Sequence, residues 1–365
     1  MSPSPVQFTR GVPPEEVLLV DELAKITTEV LAERPTEVFQ YPRIGGNLGD
    51  ERLRAALAAR HGVDPRQVFV GNGSLQVLDL LSQLLLGPGG GDVVVESPTY
   101  DRAGLIFQRH GGRVLGVPLN GDGLDVERLE ALVARRRPAF LYTIPDFQNP
   151  SGACASEGNR RALVDLAERH DFPIVEDTPY RRLRFRGVEQ PALSELAPHR
   201  VITVGSLSKV LSPGLRVGYA IGDPGLVAGL AELGEGTYLT PTPLSQAVAA
   251  RCLELGVVDS AVATAVSFLK PRHDAAVAAA REAFGDQVVA EPGGGYFLSV
   301  LARSALPEPE FLAAAADAGV RLARGSAFFP GGLPDGRLFL RLPFQALPEA
   351  EFARGVRLLA DVLTR

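Results

Sequence analysis

Arg200-Val-Ile-Thr-Val-Gly205-Ser206-Leu-Ser208-Lys209, continued by Val-Leu-Ser212-Pro-Gly-Leu-Arg216-Val-Gly218-Tyr219, is the stretch on which the reading of this chain turns. Its opening run is rich in β-branched residues and reads as a buried strand. Lys209 therefore falls just beyond the strand's carboxyl end, where the chain gives way to a loop. An arginine follows seven residues later, and glycines stand where bulk would block close approach. An amine held beside hydroxyls and a guanidinium suits a ligand that carries both a carbonyl and a phosphate. The amine can form a Schiff base while Ser206, Ser208 and Arg216 hold the phosphate.

Outward from this stretch, short β-branched runs alternate with helical patterns. Strand 68–70 leads into helix 74–86, and strand 93–96 into helix 100–110. Strand 113–117, helix 126–136, strand 139–144, helix 156–170 and strands 173–176 and 201–205 follow. This alternation predicts an α/β fold, with a mostly parallel sheet sandwiched by helices. Ligands in such sheets bind beyond the carboxyl ends of the strands. Residues 17–32 and 50–61 read as helices, the second with Leu53 and Leu57 on one face. A long helical region running through 267–283 reads as a connector. Segments 295–300, 311–318, 320–323, 338–341 and 351–363 then read as a smaller α+β domain. The expected division is an N-terminal arm, 1–40, packing with the small domain, a large domain at 41–262, and the small domain at 263–365. The glycine cluster 87–91 sits between a helix and a strand. That order is wrong for a dinucleotide fingerprint, and the cluster reads as a turn.

Across 365 residues, 45% are apolar and 22% charged, ordinary for a globular enzyme. A net charge of −6, with no dominant basic stripe, argues against a nucleic-acid surface. Cys154 and Cys252 make neither a disulfide framework nor a metal spacing, and the five histidines read as solvated or packing residues. No metal site is expected. No apolar run reaches the ~18 residues of a membrane span, and the first residues lack the pattern of a secretion leader. A cytoplasmic protein, with neither membrane nor nucleic-acid partner, is the expectation.

Four further segments follow predicted strands. In Val70-Gly-Asn-Gly73-Ser74-Leu75-Gln76, Gly73 permits a tight turn, and Ser74 and Leu75 open a helix whose free N–H groups favour a dianion. The plainer alternative is an N-capping serine at an ordinary turn. Glu96-Ser-Pro-Thr-Tyr100 places an aromatic ring at the next strand end. Ile144-Pro-Asp-Phe-Gln-Asn149-Pro150-Ser-Gly152 carries an amide in a stiff turn. Val175-Glu176-Asp177-Thr-Pro-Tyr180 carries a carboxylate that either caps a turn or faces a cationic ring nitrogen.

In this order, and with Ser206-x-Ser208-Lys209…Arg216 after them, these segments resemble the fold-type I, class I/II pyridoxal-phosphate (PLP) aminotransferases of the aspartate aminotransferase superfamily. The pattern is closest to the aminoadipate and aromatic-type branch. The resemblance implies PLP on Lys209, with Asp177 at the pyridine nitrogen and Tyr100 stacked on the ring. Asn149 and Tyr180 would meet the phenolic oxygen, and Gly73, Ser74, Leu75, Ser206, Ser208 and Arg216 the phosphate. Leu75 departs from the family's Gly-Ser/Ala-Gln pattern. Leu338-Phe-Leu-Arg341-Leu-Pro resembles the strand whose arginine clamps the substrate α-carboxylate. Tyr41-Pro-Arg-Ile-Gly resembles the segment whose tyrosine reaches the phosphate of a neighbouring subunit, which implies a homodimer with shared active sites.

The implied reaction moves an α-amino group from an amino acid to a 2-oxo acid. Elimination, cyclisation or decarboxylation on the same cofactor shell stands as the alternative. A regulator that reuses the fold is a further alternative, set against the short, non-basic arm. Arg10 and Arg43 are candidates for a distal substrate carboxylate, while Leu75, Asp146 and Tyr238 are candidates for the side-chain pocket. Asp146 would favour a basic group, so the hints conflict and no amino acid is named.

Overall fold

The computed structural model describes residues 4–42, 46–334 and 336–364. In chain order, the strands among them are β1 (Val6–Phe8), β2 (Val68–Gly71), β3 (Gly91–Ser97), β4 (Gly112–Asn120), β5 (Gly123–Leu124), β6 (Phe140–Thr143), β7 (Ile174–Asp177), β8 (Val201–Ser206), β9 (Gly218–Ile221), β10 (Phe297–Arg303), β11 (Val320–Leu322) and β12 (Arg337–Pro343). An eight-stranded sheet runs in the order β2-β9-β8-β7-β6-β3-β4-β5. Its neighbours are parallel from β8 through β7, β6 and β3 to β4. β9 runs antiparallel to both β2 and β8, so β2 points the same way as the parallel set.

Alternation along each strand feeds a helix layer on either face. In β3 the fully buried Val93 and Val95 join Phe69, Phe140, Tyr142 and Ala220 beneath helices Ser74–Leu86, Asp101–Arg109 and Pro224–Tyr238. Val94 turns the other way, toward Leu141, Ile174 and helix Glu157–His170. Farther along that second face, Val68, Val70 and Ile221 meet helices Val20–Glu33, Glu51–His61 and Pro243–Glu254. Leu53 and Leu57 are fully buried there, and truncating either to alanine costs ~2–5 kcal/mol. Side-chain caps start several of these helices: Asp50 accepts from Leu53 N–H, Ser156 from Asn159 N–H and Asp223 from Leu226 N–H.

Helix Val257–Phe284 leads to a second core, built on antiparallel β10–β12 and on helices Glu308–Asp317 and Glu349–Leu363. β1 pairs in parallel with β11 in this region, while Ile26 and Val30 of helix Val20–Glu33 pack in the core around Leu53. Residues 6–33 thus straddle both cores.

Three features depart from the sequence reading. Residues 218–221 form a strand, masked by its brevity and its leading glycine. Helices occupy 224–238 and 243–254, where no boundaries were read. The long helix begins at Val257 rather than 267, because Gly256, in the left-handed region at φ 71°, ends the preceding turn.

Candidate active site

The parallel strands all present their carboxyl ends at one edge of the sheet, and five of the loops leaving that edge carry the polar residues singled out above. They surround a cavity of about 470 Å³. Its floor holds Asp177 from the end of β7, and its walls hold Tyr100, Asn149, Tyr180 and Arg341.

At one end lies an anion-binding corner. The N–H groups of Ser74 and Leu75, at the start of the helix, have no protein acceptor among the described residues. Arg216 approaches them so closely that a Cβ on Gly73 would lie 2.2 Å from its Nη2. Gly73 itself sits at φ +90°, and a Cβ on Gly218 would lie 2.2 Å from Ser74 N. Glycine at both positions is what lets the helix start, β9 and the guanidinium converge. Among the described residues, the guanidinium of Arg216, a residue at φ 53°, donates only to the carbonyls of Pro213 and Asn72, at 3.4 and 3.5 Å. Ser206 Oγ accepts from Ser208 N–H at 3.1 Å and so holds the loop, while Ser208 lines the cavity.

At the floor, Asp177 is 4% exposed. Tyr142 donates to its Oδ2 at 2.8 Å, and its buried Oδ1 has no partner among the described residues. Burial pushes this carboxyl up to about 7 against the Tyr142 hydrogen bond, and the neighbouring Glu96 charge adds to the rise. A cationic ring nitrogen is the partner that such an orphaned oxygen lacks.

Lys209 stands across the cavity. Burial, then the charges of Arg216, Arg341 and Arg10, lower its amine to about 8. Nζ donates to Gly11 O at 2.7 Å and lies over the Tyr296 ring, 5.7 Å from its centroid. Arg341, 8% exposed, donates to Asn149 Oδ1 at 3.1 Å and Thr9 O at 2.7 Å. Phe297 and Phe328 flank its guanidinium at 4.9 and 4.8 Å. The Asn149 oxygen being occupied, its Nδ2 is left without a protein acceptor among the described residues. Burial raises Tyr180 well above the ordinary phenol value, so the ring stays neutral and its hydroxyl remains a donor. Tyr100 is pushed up to about 12 by the same cause.

Asp146 does not line the cavity. It is fully buried and binds Arg160 at 2.9 Å, Arg181 at 3.0 Å and Arg184 at 3.2 Å. Three guanidiniums claim it, so it cannot read a substrate side chain. Tyr238, the last residue of helix Pro224–Tyr238, is also absent from the lining, and its hydroxyl is buried. Leu75 and Arg10 do line the cavity. Tyr41 lies outside it, 73% exposed, and Arg43 lies outside the described residues. A second cavity, of about 430 Å³, lies on the far side of Ser206 and Leu207 among Arg60, His61, Arg181 and Tyr219. It holds none of Lys209, Asp177 and Arg341, and its histidine, lowered to about 4 by burial and two arginines, is neutral. The reactive set therefore favours the first cavity.

Sequence reasoning missed Tyr142, Tyr296 and the carbonyls of Thr9 and Gly11. Tyr142 had a usable signal, since a tyrosine inside the strand next to Asp177 needs an acceptor for its hydroxyl. Backbone carbonyls carry none.

An amine lowered toward neutrality, a buried carboxyl short of one partner and an anion corner together fit PLP: aldehyde, ring nitrogen and phosphate each find a complement. The profile described as aminotransferase class I and II matches residues 8–357. The chain is 32% identical to aromatic-amino-acid aminotransferase 1 of Thermococcus litoralis, over 98% of this chain and 88% of that one. It is also 32% identical to 2-aminoadipate transaminase of Thermus thermophilus, over 99% and 90%. The structure of LysN, α-aminoadipate aminotransferase from Thermus thermophilus, complexed with N-(5'-phosphopyridoxyl)-L-leucine, superposes with a TM-score of 0.91 at 32% identity, over 99% of this chain and 92% of that one. Fold, cofactor shell and family agree: this chain belongs to the class I and II aminotransferases, in the aminoadipate and aromatic branch, and is a PLP-dependent amino acid aminotransferase.

Proposed function

We propose that Lys209 carries the reaction, with Asp177 and Arg341 setting its electronics and its geometry. The observation that supports this is their convergence on one cavity, each with a binding capacity the protein leaves open. When bound, PLP supplies an electron sink for negative charge at the substrate's Cα. Asp177 holds positive charge on the ring nitrogen through its free Oδ1. Tyr180 and the Asn149 Nδ2 donate toward the phenolic oxygen, and Ser74, Leu75, Ser208 and Arg216 hold the phosphate. Arg341 turns its fork from Thr9 O to the α-carboxylate of the incoming amino acid, fixing which Cα bond lies across the ring. Lys209 Nζ, freed from Gly11 O, takes and gives back the proton at Cα. An α-amino acid is the donor in this reading and a 2-oxo acid the acceptor.

The site is read as shared between two copies of the chain. Tyr41 and Phe39 are 73% and 75% exposed, and the segment that follows is tied down by Asn47 donating to Ala231 O and Glu235. Exposed aromatics on an anchored segment suit insertion into a partner's site, with Tyr41 toward the phosphate.

The test is an absorption spectrum of the purified protein before and after pooled amino acids are added without an oxo acid. The cofactor band lies in the visible, clear of the protein's own ultraviolet absorption. Loss of that band with gain of the pyridoxamine form supports the reading. A band that persists, or is replaced by an unsaturated product, points to elimination instead, and the absence of any band after adding PLP removes Lys209 from its role.

A further inference from the structure

Glu96 lies beneath the site, and the reaction as derived makes no use of it. It is 2% exposed, near the end of β3, and among the described residues its side chain accepts hydrogen bonds from one segment, 143–148. Thr143 Oγ1 donates to Oε1 at 2.5 Å and Ile144 N–H to the same oxygen at 3.0 Å. Gln148 Nε2 donates to Oε2 at 2.8 Å and also to Pro98 O at 2.8 Å. The other end of Gln148 is equally occupied: Oε1 accepts from Ser151 N–H at 2.8 Å and from Ser151 Oγ at 2.7 Å. Asn149 lies between these anchors, and its Oδ1 accepts from Arg341. Ser299 of β10 donates to Ser151 O at 2.8 Å, so the second core holds the same turn.

We propose that Glu96 is a positioning residue for amino transfer, acting through Gln148 to aim the Asn149 amide between the cofactor and Arg341. Gln148 is oriented because a carboxylate accepts only: its NH₂ must face Glu96 and its oxygen must face Ser151. That arrangement leaves the Asn149 backbone one course through the turn. With Arg341 on Oδ1, Nδ2 faces the cavity. Replacing Glu96 by glutamine puts an NH₂ among three donors, and either Gln148 or the Thr143–Ile144 pair loses its acceptor. A buried carboxylate on a neighbouring strand thereby sets an amide it never touches.

This rests on the assignment of Asn149 and Lys209 above, and the wild-type holoenzyme is read first for that reason. If it shows no visible band, that assignment fails and the inference with it. With the band present, its titration midpoint and kcat/KM are measured for Glu96→Gln, Asn149→Ala and the double variant. The expected result is a midpoint displaced in the same direction by both single changes and kcat/KM lowered about tenfold by Glu96→Gln. The double variant should be no worse than Asn149→Ala alone. A merely structural carboxylate would lower the melting temperature and leave the midpoint in place. Wild-type midpoint and kcat/KM in Glu96→Gln, or losses that add in the double variant, overturn the proposal. Should Glu96→Gln fail to fold, Gln148→Met cuts the same link from the other side and must give the same displacement. An unmoved midpoint there overturns it as well.

Discussion

The hydroxyl of Tyr142 donates to Asp177 Oδ2 at 2.8 Å, and Oδ1 of the same carboxyl has no partner among the described residues. Half of the carboxylate is thus satisfied by the protein and half is held open. The Tyr142 bond favours the ionised form, the form a cationic ring nitrogen needs. Tyr142→Phe should therefore weaken PLP binding about tenfold, the worth of one hydrogen bond to a charged group. Spectrophotometric titration of the apoenzyme with PLP measures this, and an unchanged dissociation constant would remove Tyr142 from the cofactor shell.

Asp177 also gives the apoenzyme a pH signature. Its folded value, about 7, lies above the ordinary 3.8, so the folded state binds the proton more tightly than the unfolded state. The stability this contributes is fully present below about 4 and is lost as pH rises through about 7. Relative to Asp177→Asn, wild-type apoenzyme should lose melting temperature between pH 5 and pH 8. Parallel curves would contradict the buried, unpaired carboxyl.

Lys209 titrates in the opposite sense, because burial and three cations lower it to about 8. Only the neutral amine attacks an aldehyde. The rate at which apoenzyme captures PLP should climb about tenfold per pH unit below 8 and level off above it. Arg10→Ala removes one of the three cations and should move that midpoint upward. Stopped-flow absorbance across the pH range checks both statements.

Arg341 offers a planar fork, held by Asn149 and Thr9 and flanked by two phenylalanines. Arg341→Lys keeps the charge but loses the fork and the ring contacts. KM for the amino acid should rise roughly tenfold or more, the worth of a charge-assisted pair. An unchanged KM would remove Arg341 from the substrate carboxylate.

Asp146→Asn leaves Arg160, itself fully buried, without its carboxylate. Removing one member of such a pair costs ~3–5 kcal/mol. Urea denaturation should register that loss, while the ranking of amino acid donors stays the same because Asp146 does not reach the cavity.

Much of the site was legible because its residues sit in short motifs directly after strands. Where Val175, Glu176 and Asp177 end a buried run, the parallel sheet itself delivers the carboxylate to the ligand edge. Lys209 and Arg216 are positioned by the same rule through β8. Asp146 was misread because its partners come from 14 to 38 residues away, on a helix and a loop that no local pattern joins to it. β9 was missed because four residues opening with glycine carry too little alternation, although it is the strand that brings Arg216 against Gly73. The acceptor over Lys209 is the main-chain oxygen of Gly11, and a carbonyl leaves no mark in a sequence pattern.

That acceptor has a practical corollary. Residues 6–8 are stitched into one core and helix Val20–Glu33 into the other, and between them Thr9 and Gly11 lend their oxygens to Arg341 and Lys209. Residues 6–11 therefore serve the site as well as the packing. A substitution that shifts residues 6–11 would reach the Lys209 amine through Gly11 O, so variants of this short segment should be assayed for activity as well as for stability.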